Sequence, residues 1–408
     1  MKLKNTPINI LQKEENLSKI ATNGVSLHCH TQYSKEMLDF IPHYAESLPV
    51  ISFFFKRENK KYLAKTGKPI TLDEGYWSPP MTEDQVFNLE KKQINSLGLD
   101  AIVSITDHDD ITANLNISKQ ESIDVAPISL EWTVPFQFGF FHVGVHNLPQ
   151  DNALAITDAL LDFSFNKESQ TNERLHELFE MLNNLPEALL VLNHPIWDIE
   201  IVGQKQHEIL LKAFLADHGK WIHALEVNGF RAWSENKAVI ELAQSLRMPI
   251  VSGGDRHGCQ PNTVLNLTNS KTCAEFVEEV RVDKHAEIVF MPEHSQPLHS
   301  RQLQSFSEIL KNYEDFPEDR KRWFDRVFVD ADGLGVRPLS VHWKLGGPRW
   351  LRWAIWTLGV MGNPKLRPAF RLAMKNKDVV PKEFGNDLPV RFEPIITDNE
   401  KLVTGSNL

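Results

Sequence analysis

The feature that most restricts the fold of this chain is a recurring unit in which a short apolar run leads directly into His, Asp or Glu. The unit occurs seven times between residues 25 and 258. The seven runs are VSLHCH (25–30), AIVSITDHD (101–109), APISLEW (126–132), FFHVGVH (140–146), LLVLNHP (189–195), HALEVNG (223–229) and PIVSGGDRHG (249–258). Short apolar runs of this kind are typical of buried strands, so each unit predicts a strand whose last residues carry chemistry.

Helix signals lie between several of these strands. Thr82 with Gln85 and Thr272 with Glu275 have the spacing of capping boxes. Thr171 and Ser234 precede stretches with helical periodicity and are read as N-caps. Strands that alternate with helices predict an α/β fold with a parallel sheet. Functional residues at the ends of so many strands favour a closed barrel, because an open sheet binds at a single switch point.

The alternation stops after AEIVFMPEH (286–294), where the chain becomes helical and rich in Trp. We therefore predict a barrel domain over residues 1–295 and a mainly helical C-terminal extension over 296–408. An excursion at about 50–80 interrupts the barrel and contains aromatic and basic residues. We expect this excursion to lie over the mouth of the barrel, where loops set substrate choice.

The extension contains a basic, apolar stretch. Between Trp343 and Lys377 there are eight Lys or Arg and no Asp or Glu, whereas the whole chain has a net charge of −10. Its large apolar residues are Trp350, Leu351, Trp353, Ile355, Trp356, Leu358 and Val360. On a helix these side chains cover most of the circumference, which favours burial against the barrel or in an oligomer formed through the extension. Contact with a membrane surface or a nucleic acid is the alternative.

The composition limits the classes of protein to which this chain can belong. A hydrophobic fraction of 41% and a charged fraction of 24% match an ordinary globular protein. Three cysteines do not form a disulfide framework, the N-terminus lacks the apolar region of a signal peptide, and no apolar run has the length of a transmembrane helix. We expect a cytoplasmic protein. The acidic net charge disfavours a dedicated nucleic-acid binder.

A pair of histidines opens the candidate metal site. His28 and His30 are two residues apart on a predicted strand, so both imidazoles point to the same side. This spacing is a weak signal alone, but other predicted strands end in similar residues: His108, Glu131, His142, His194, Asp255 and His257. Imidazole and carboxylate groups are the ligands of Zn, Mn and Fe. The sequence therefore predicts a cluster of two or three divalent transition-metal ions.

The motifs resemble, in order, those of the PHP (polymerase and histidinol phosphatase) family over about residues 24–290. They are HCH (28–30), TDHD (106–109), LEWT (130–133), the strand of His142, NHP (193–195) and GGDRH (253–257). The resemblance implies a distorted (β/α)7 barrel, similar to a TIM barrel, with up to three metal ions. The activity that it implies is phosphoester hydrolysis.

The resemblance also assigns roles by position. His28, His30, Glu131 and Asp255 would hold one side of the cluster, with Glu131 as a bridge between ions. His108, His142, His194 and His257 would complete it. Glu131, Asp255 and His257 are the expected catalytic residues. The family commonly has another His or Asp shortly after the paired histidines, and here Glu36 is the closest substitute and Asp39 the next.

The implied reaction cleaves a phosphoester of a small phosphorylated molecule through a metal-bridging hydroxide. A pair of bridged cations lowers the pKa of bound water and neutralises charge on a phosphoryl oxygen. Arg256, Arg231 and Lys35 are candidates for binding the other phosphate oxygens, with ordinary surface ion pairing as the alternative for each.

Other readings remain open. A PHP-type nuclease would use the basic extension to hold nucleic acid. A non-catalytic PHP module would have the fold but no hydrolytic activity. Amidohydrolases also place paired histidines on a barrel, so hydrolysis of a C–N bond fits the same chemistry. Asp107 is expected to orient a histidine or to cap a turn, and Glu226 to close the barrel wall.

Overall fold

The computed structural model describes residues 8–10, 17–38, 49–67, 74–199, 202–331, 334–347 and 349–366. The strands of this part are β1 (Ile8–Ile10), β2 (Asn23–Ser26), β3 (Glu36–Met37), β4 (Tyr76–Trp77), β5 (Asp100–Val103), β6 (Ile128–Phe136), β7 (Gly139–Leu148), β8 (Leu189–Leu192), β9 (Ala224–Asn228), β10 (Ile250–Gly253), β11 (Val264–Thr268), β12 (Glu287–Phe290), β13 (Val327–Val329) and β14 (Arg337–Pro338).

The α-helices of the same ranges are α1 (Pro49–Thr66), α2 (Glu83–Asn95), α3 (Thr112–Ile117), α4 (Ala153–Phe165), α5 (Asn172–Asn183), α6 (Gln204–His218), α7 (Trp233–Leu246), α8 (Cys273–Arg281), α9 (Leu298–Ile309), α10 (Leu339–His342) and α11 (Arg349–Met361). Short 3₁₀ turns occur at Leu17–Lys19, Gly219–Trp221, Pro292–Ser295, Trp323–Asp325 and Pro364–Leu366.

The strands form three sheets. One five-stranded sheet has the order β1-β12-β11-β2-β5, a second has the order β10-β9-β8-β7-β6, and a four-stranded sheet has the order β14-β13-β4-β3. Helices connect most of the strands of the two larger sheets. The predicted α/β class is thereby confirmed.

The sheets differ from the predicted parallel barrel in strand direction and in closure. Strand β7 runs antiparallel to both β6 and β8, and β11 runs antiparallel to both β2 and β12. Residues 137–138 join β6 to β7, and so short a connection allows only a hairpin. The hydrogen-bonded ladders of the described residues also form separate sheets and not one closed barrel. Two isolated bridges, Cys29–Arg256 and His108–Glu131, connect the larger sheets. Both bridges involve segments that carry candidate ligands.

Three of the four predicted helix starts are confirmed. Thr82 and Thr272 form complete capping boxes, and the Thr171 side chain accepts a hydrogen bond from the backbone N–H of Arg174. Ser234 is not an N-cap, because α7 begins one residue earlier, at Trp233, after Ala232.

A buried tryptophan anchors the strand that carries Glu131. Trp132 is fully buried, and its indole N–H donates to the Leu160 carbonyl oxygen and to Ser164 Oγ on α4. Since neighbouring side chains on a strand point to opposite faces, the Trp132 anchor directs the Glu131 carboxylate to the other face of β6. The packing of α4 against this sheet thus fixes the position of a candidate ligand.

The excursion and the C-terminal extension meet in the four-stranded sheet. Strand β4, from the excursion, pairs with β3 on one side and with β13 of the extension on the other. Arg320 donates to the Pro79 carbonyl oxygen, and Ser78 N–H donates to the Arg326 carbonyl oxygen. Strand β3 contains Glu36. The division of the chain at residue 295 stays a prediction, and the two proposed parts share this sheet.

Helix α11 is less buried within the chain than the sequence predicts, and burial in an oligomer stays a prediction. None of its described side chains is buried, and Trp353 and Trp356 are 66% and 61% exposed. The helix packs on one side, where Leu351 and Ile355 contact the apolar cluster around Trp323 and Phe324. No helix within the described ranges combines the length and apolar character needed to cross a membrane.

We predict that truncation after residue 295 reduces the bound metal. The truncation removes β13, the partner of β4, and so weakens the support of β3 and of Glu36. It also removes Trp323 and Phe324, which pack against Leu38. We expect a barrel fragment that aggregates or holds less metal per chain, measured by light scattering and elemental analysis. A soluble fragment with the metal content of the full chain would show that the extension does not support the site.

Candidate metal centre

Segments from both larger sheets and from β3 converge on one cluster of imidazoles and carboxylates. Three groups in the described residues have ligand atoms within 4.8 Å of one another. They are His28, His30 and Glu131; His108, Glu131 and His142; and His30, Glu36, His108 and His257. The groups share members, which is the arrangement expected of adjacent metal ions.

His28 and His30 face each other as their spacing predicts. Their Nε2 atoms lie 3.0 Å apart. His28 Nδ1 is 2.5 Å from Glu226 Oε1, and His30 Nδ1 is 3.1 Å from Ser34 Oγ. If each Nδ1 carries the proton for its partner, both Nε2 lone pairs point at the same space. Two lone pairs at this distance repel each other unless a cation lies between them, so the pair fits a metal ion.

Glu131 lies at the centre of the cluster. Its Oε2 is 3.1 Å from His28 Nε2 and 3.2 Å from His108 Nδ1. Its Oε1 is 3.1 Å from His194 Nε2 and 3.3 Å from His142 Nδ1. His30 Nε2 is also 3.5 Å from Oε2. Each oxygen of one carboxylate therefore meets a different set of imidazoles. This is the arrangement of a carboxylate that can bridge two cations.

The third group includes Glu36, and its alternative Asp39 lies outside the described residues. Glu36 Oε1 is 3.0 Å from His257 Nε2, and Oε2 is 3.3 Å from His108 Nε2. His30 and His257 stack with their ring centroids 4.1 Å apart. The Glu36 carboxylate is thus within reach of three imidazoles, and its side chain is 14% exposed.

Asp255 and His194 border these groups. Asp255 Oδ1 is 3.6 Å from His30 Nε2 and 3.9 Å from His28 Nε2. Both residues have left-handed backbone conformations, with φ of 50° at Asp255 and 29° at His194. Such conformations are costly for residues other than Gly and cluster at functional sites. Here they turn the chain at the ends of β10 and β8 so that both side chains face the cluster.

Burial affects the protonation of these histidines. Burial lowers the pKa of His30 to about 3 and that of His142 to about 4. For Glu131, burial raises the pKa, but the imidazoles of His28 and His142 outweigh it and hold the pKa well below its ordinary value.

At His28 and His108 burial also lowers the pKa, but neighbouring carboxylates outweigh it. Glu131 and Glu226 hold the pKa of His28 well above its ordinary value, and Glu36 and Glu131 raise that of His108 to about 10. Imidazoles around an ionised carboxylate are a donor set that suits divalent transition metals. His108 Nδ1 is buried and makes no hydrogen bond within the described residues, although Glu131 Oε2 lies 3.2 Å away.

An outer layer of polar side chains orients the candidate ligands. Glu226 is 1% exposed and accepts hydrogen bonds at Oε2 from His194 N–H and Asn228 Nδ2, while Oε1 contacts His28 Nδ1. Asn193 Nδ2 donates to Glu131 Oε1 at 3.0 Å. Carboxylates that fix an imidazole in this way commonly tune metal affinity. Glu226 therefore orients His28 as well as lining the inner face of β9.

Gly253 leaves the room that Glu226 requires. A Cβ atom at this position would overlap the Glu226 carboxylate and would lie 2.8 Å from the Cβ of His28. Real Cβ atoms do not approach other atoms so closely. The first Gly of GGDRH thus permits β10 to pass directly beside β9 and the end of β2.

The three cationic candidates for substrate binding have different positions. The Arg231 guanidinium lies over the Trp197 ring, 3.4 Å from its centroid, and Nη2 is 3.8 Å from Asp255 Oδ2. Lys35 is exposed, with its Nζ 5.6 Å from the centroid of the Tyr76 ring. Arg231 is therefore beside the cluster, and Lys35 lies near strand β4.

Arg256 does not reach the cluster. Its Nε donates to Glu90 Oε1 at 2.6 Å, and its Nη1 donates to the Gly258 carbonyl oxygen. The expectation that Arg256 binds substrate is corrected to a buried ion pair with Glu90.

Aromatic rings surround the candidate ligands. Trp77 lies 5.7 Å from His257, Phe140 lies 5.2 Å from His142, and Trp197 lies 5.1 Å from His194, as measured between ring centroids. All three rings are partly exposed. They border the site with apolar surface.

Several residues show what the sequence could and could not reveal. Asp107 accepts hydrogen bonds from the backbone N–H and the hydroxyl of Thr31, 76 residues away, so it joins the segments after β2 and β5 and does not cap its own turn. The orienting roles of Glu226, Asn193 and Asn228 were missed. The only signal was alternation, since Glu226 and Asn228 are two apart and so share a face of β9.

No protein-family model and no curated protein sequence matches this chain. Solved structures do show similarity. A two-domain protein from Bacteroides vulgatus ATCC 8482, described as containing a predicted PHP-like metal-dependent phosphoesterase, is 12% identical over 70% of each chain, with a TM-score of 0.39. A candidate metal-dependent phosphoesterase from Bifidobacterium adolescentis ATCC 15703 is 15% identical over 50% of this chain and 93% of its own, with a TM-score of 0.31.

An amidohydrolase from Chromobacterium violaceum, solved with bound sulfate, is 13% identical over 44% of this chain and 84% of its own, with a TM-score of 0.28. The chain is thus similar to proteins described as PHP-like phosphoesterases and to one described as an amidohydrolase.

We predict that Glu226→Gln weakens metal binding. The amide keeps the size of the side chain but removes the charge that holds the His28 Nδ1 proton. We expect a loss of about 10- to 100-fold in metal affinity, measured by competition with a chelator. Asp107→Asn is the matched control, since Asp107 is also a buried carboxylate but bonds to Thr31. Equal metal affinity in wild type and Glu226→Gln would refute the orienting role.

Proposed function

We propose that this chain is a PHP-type metal-dependent phosphoesterase that acts on a small phosphorylated molecule. The observation that carries the proposal is the position of Glu131, whose two oxygens meet two different sets of imidazoles. A bridging carboxylate implies more than one ion. Multinuclear sites of this composition are suited to displacement at phosphorus.

The proposed ligands are those that the motifs assign. They are His28, His30, Glu36, His108, Glu131, His142, His194, Asp255 and His257, and they would hold two or three Zn, Mn or Fe ions. Bound ions would supply Lewis-acid stabilisation of a phosphoryl oxygen and an activated water near neutral pH. Glu131, Asp255 and His257 form the proposed catalytic centre.

The exposure of the ligands indicates the direction of substrate approach. The side chains of His28, His30 and Glu131 are at most 2% exposed, whereas those of His108 and Glu36 are 14% exposed and that of His257 is 13% exposed. A substrate would therefore enter on the side of Glu36, past the partly exposed ring of Trp77. Because the side chains of the most exposed of these ligands are only 14% exposed, the site favours a small molecule over a folded polymer.

Arg231 is the proposed phosphate-binding cation. It is 8% exposed, and its stacking on Trp197 holds the planar guanidinium beside Asp255. A guanidinium fixed in this way presents several N–H donors to phosphate oxygens. Lys35 stays the second candidate cation, and its Nζ lies by the Tyr76 ring of β4. Positive charge beside the cluster favours an anionic ester over a neutral amide.

We predict that Glu131→Gln lowers metal content and activity far more than Asp107→Asn. The Gln amide has one oxygen and no charge, so it cannot bridge two cations as a carboxylate can. Asp107 instead contacts Thr31. We expect about a hundredfold or greater loss of turnover for Glu131→Gln and a smaller effect for Asp107→Asn. Elemental analysis and turnover of both variants provide the test. The reverse order would show that the roles of the two carboxylates are assigned incorrectly.

We predict hydrolysis of phosphoesters and not of amides. With added Mn, the protein should turn over p-nitrophenyl phosphate or bis(p-nitrophenyl) phosphate, and the ratio of the two rates distinguishes a phosphatase from a phosphodiesterase. Arg231→Met should reduce kcat/KM by about 10- to 100-fold, whereas Lys212→Met, on the exposed side of α6, should not. Turnover of p-nitroacetanilide with neither phosphoester cleaved would favour the amidohydrolase reading, and cleavage of single-stranded DNA alone would favour the nuclease reading.

A further inference from the structure

Helix α11 presents an apolar aromatic face to solvent. At about 100° per residue, Arg349, Trp353, Trp356 and Val360 lie on one side of the helix. All four are exposed. The rings of Trp353 and Trp356 contact each other edge to face, with centroids 5.4 Å apart. Two neighbouring, exposed indoles are uncommon on a monomeric surface, where large apolar patches usually mark contact sites.

The opposite side of the helix fixes its orientation. Leu351 and Ile355 pack against the cluster that contains Trp323 and Trp343. Gly362, just after the helix, comes so close to Ser307 of α9 that a Cβ atom there would overlap the serine side chain. The helix is therefore held against α9, and the Trp353–Trp356 face points outward.

A groove beside this face combines apolar and cationic lining. It has a volume of about 660 Å³, and its apolar walls come from Trp323, Ile355, Trp356, Val360 and Leu366. Arg352 and Lys365 also line it. Apolar side chains next to two cations suit a ligand that has both an anionic group and hydrocarbon.

Charge favours the same kind of partner. The eight basic residues between Trp343 and Lys377 have no acidic neighbour within that range, although the whole chain carries a net charge of −10. A second copy of the chain would bring two basic faces together, which like charges oppose. A nucleic acid would match the charge but would leave Val360 and Leu366 without a partner of hydrocarbon. An anionic bilayer matches both properties.

We propose that the outward face of α11 binds the surface of an anionic lipid bilayer, with Trp353 and Trp356 at the level of the headgroups. Tryptophan prefers this interface because its ring is apolar and its N–H is polar. Arg349, Arg352 and Lys365 then contact the anionic headgroups. With 13 residues, α11 lies along the surface.

The test is flotation of the full-length protein with vesicles of phosphatidylcholine and phosphatidylglycerol in a 7:3 ratio. We expect binding to these vesicles, little binding to pure phosphatidylcholine, and loss of binding at about 0.5 M NaCl, where the Debye length is a few ångströms. The double variant Trp353→Ser/Trp356→Ser should bind about tenfold or more weakly. Each of Arg349→Gln, Arg352→Gln and Lys365→Gln should cost roughly fivefold.

Phe165→Ser is the matched control, because Phe165 is an aromatic residue, 70% exposed, at the end of α4. The Phe165→Ser variant should bind the anionic vesicles as tightly as the wild type. Quenching of Trp fluorescence by brominated lipid should also be reduced in the double variant. Equal binding of the double variant and the control would overturn the proposal. So would dimerisation that the double variant abolishes while vesicles are not bound, or binding to duplex DNA but not to vesicles.

Discussion

The site depends on one buried carboxylate. Glu131 is 1% exposed; burial raises the pKa of its carboxyl, but the imidazoles of His28, His142 and His108 outweigh burial and hold that pKa well below its ordinary value. A buried charge without compensation is strongly unfavourable, so the fold must provide positive charge at this point. Asn193 donates one hydrogen bond, and five imidazoles lie within 3.5 Å of the two carboxylate oxygens. Divalent cations satisfy the carboxylate and the imidazoles together.

Much of the site could be predicted from the sequence because side chains alternate along extended segments. The shared direction of His28 and His30 follows from their spacing. The rule does not extend to Asp255, Arg256 and His257, because Asp255 has a left-handed backbone, and the ion pair of Arg256 with Glu90 was not predicted. Local patterns therefore predict which residues meet when all of them lie near the ends of neighbouring strands.

The remaining features depend on contacts between distant parts of the chain. Glu36 reaches the cluster because β3 pairs with β4 and β4 pairs with β13, which is nearly 300 residues further along the sequence. No local pattern encodes such pairing. The β6–β7 hairpin replaced an expected parallel connection for a local reason, the two-residue turn at 137–138. Helix α11 lacks burial because its neighbour α9 covers only one side, which its sequence alone does not reveal.

The central claim, a multinuclear metal centre around Glu131, is tested most directly by anomalous X-ray diffraction from crystals reconstituted with Mn and measured near the Mn absorption edge. The account predicts at least two anomalous peaks per chain in contact with Glu131, one beside His28 and His30 and the other beside His108 and His142. A single peak, or peaks that do not contact Glu131, would contradict it.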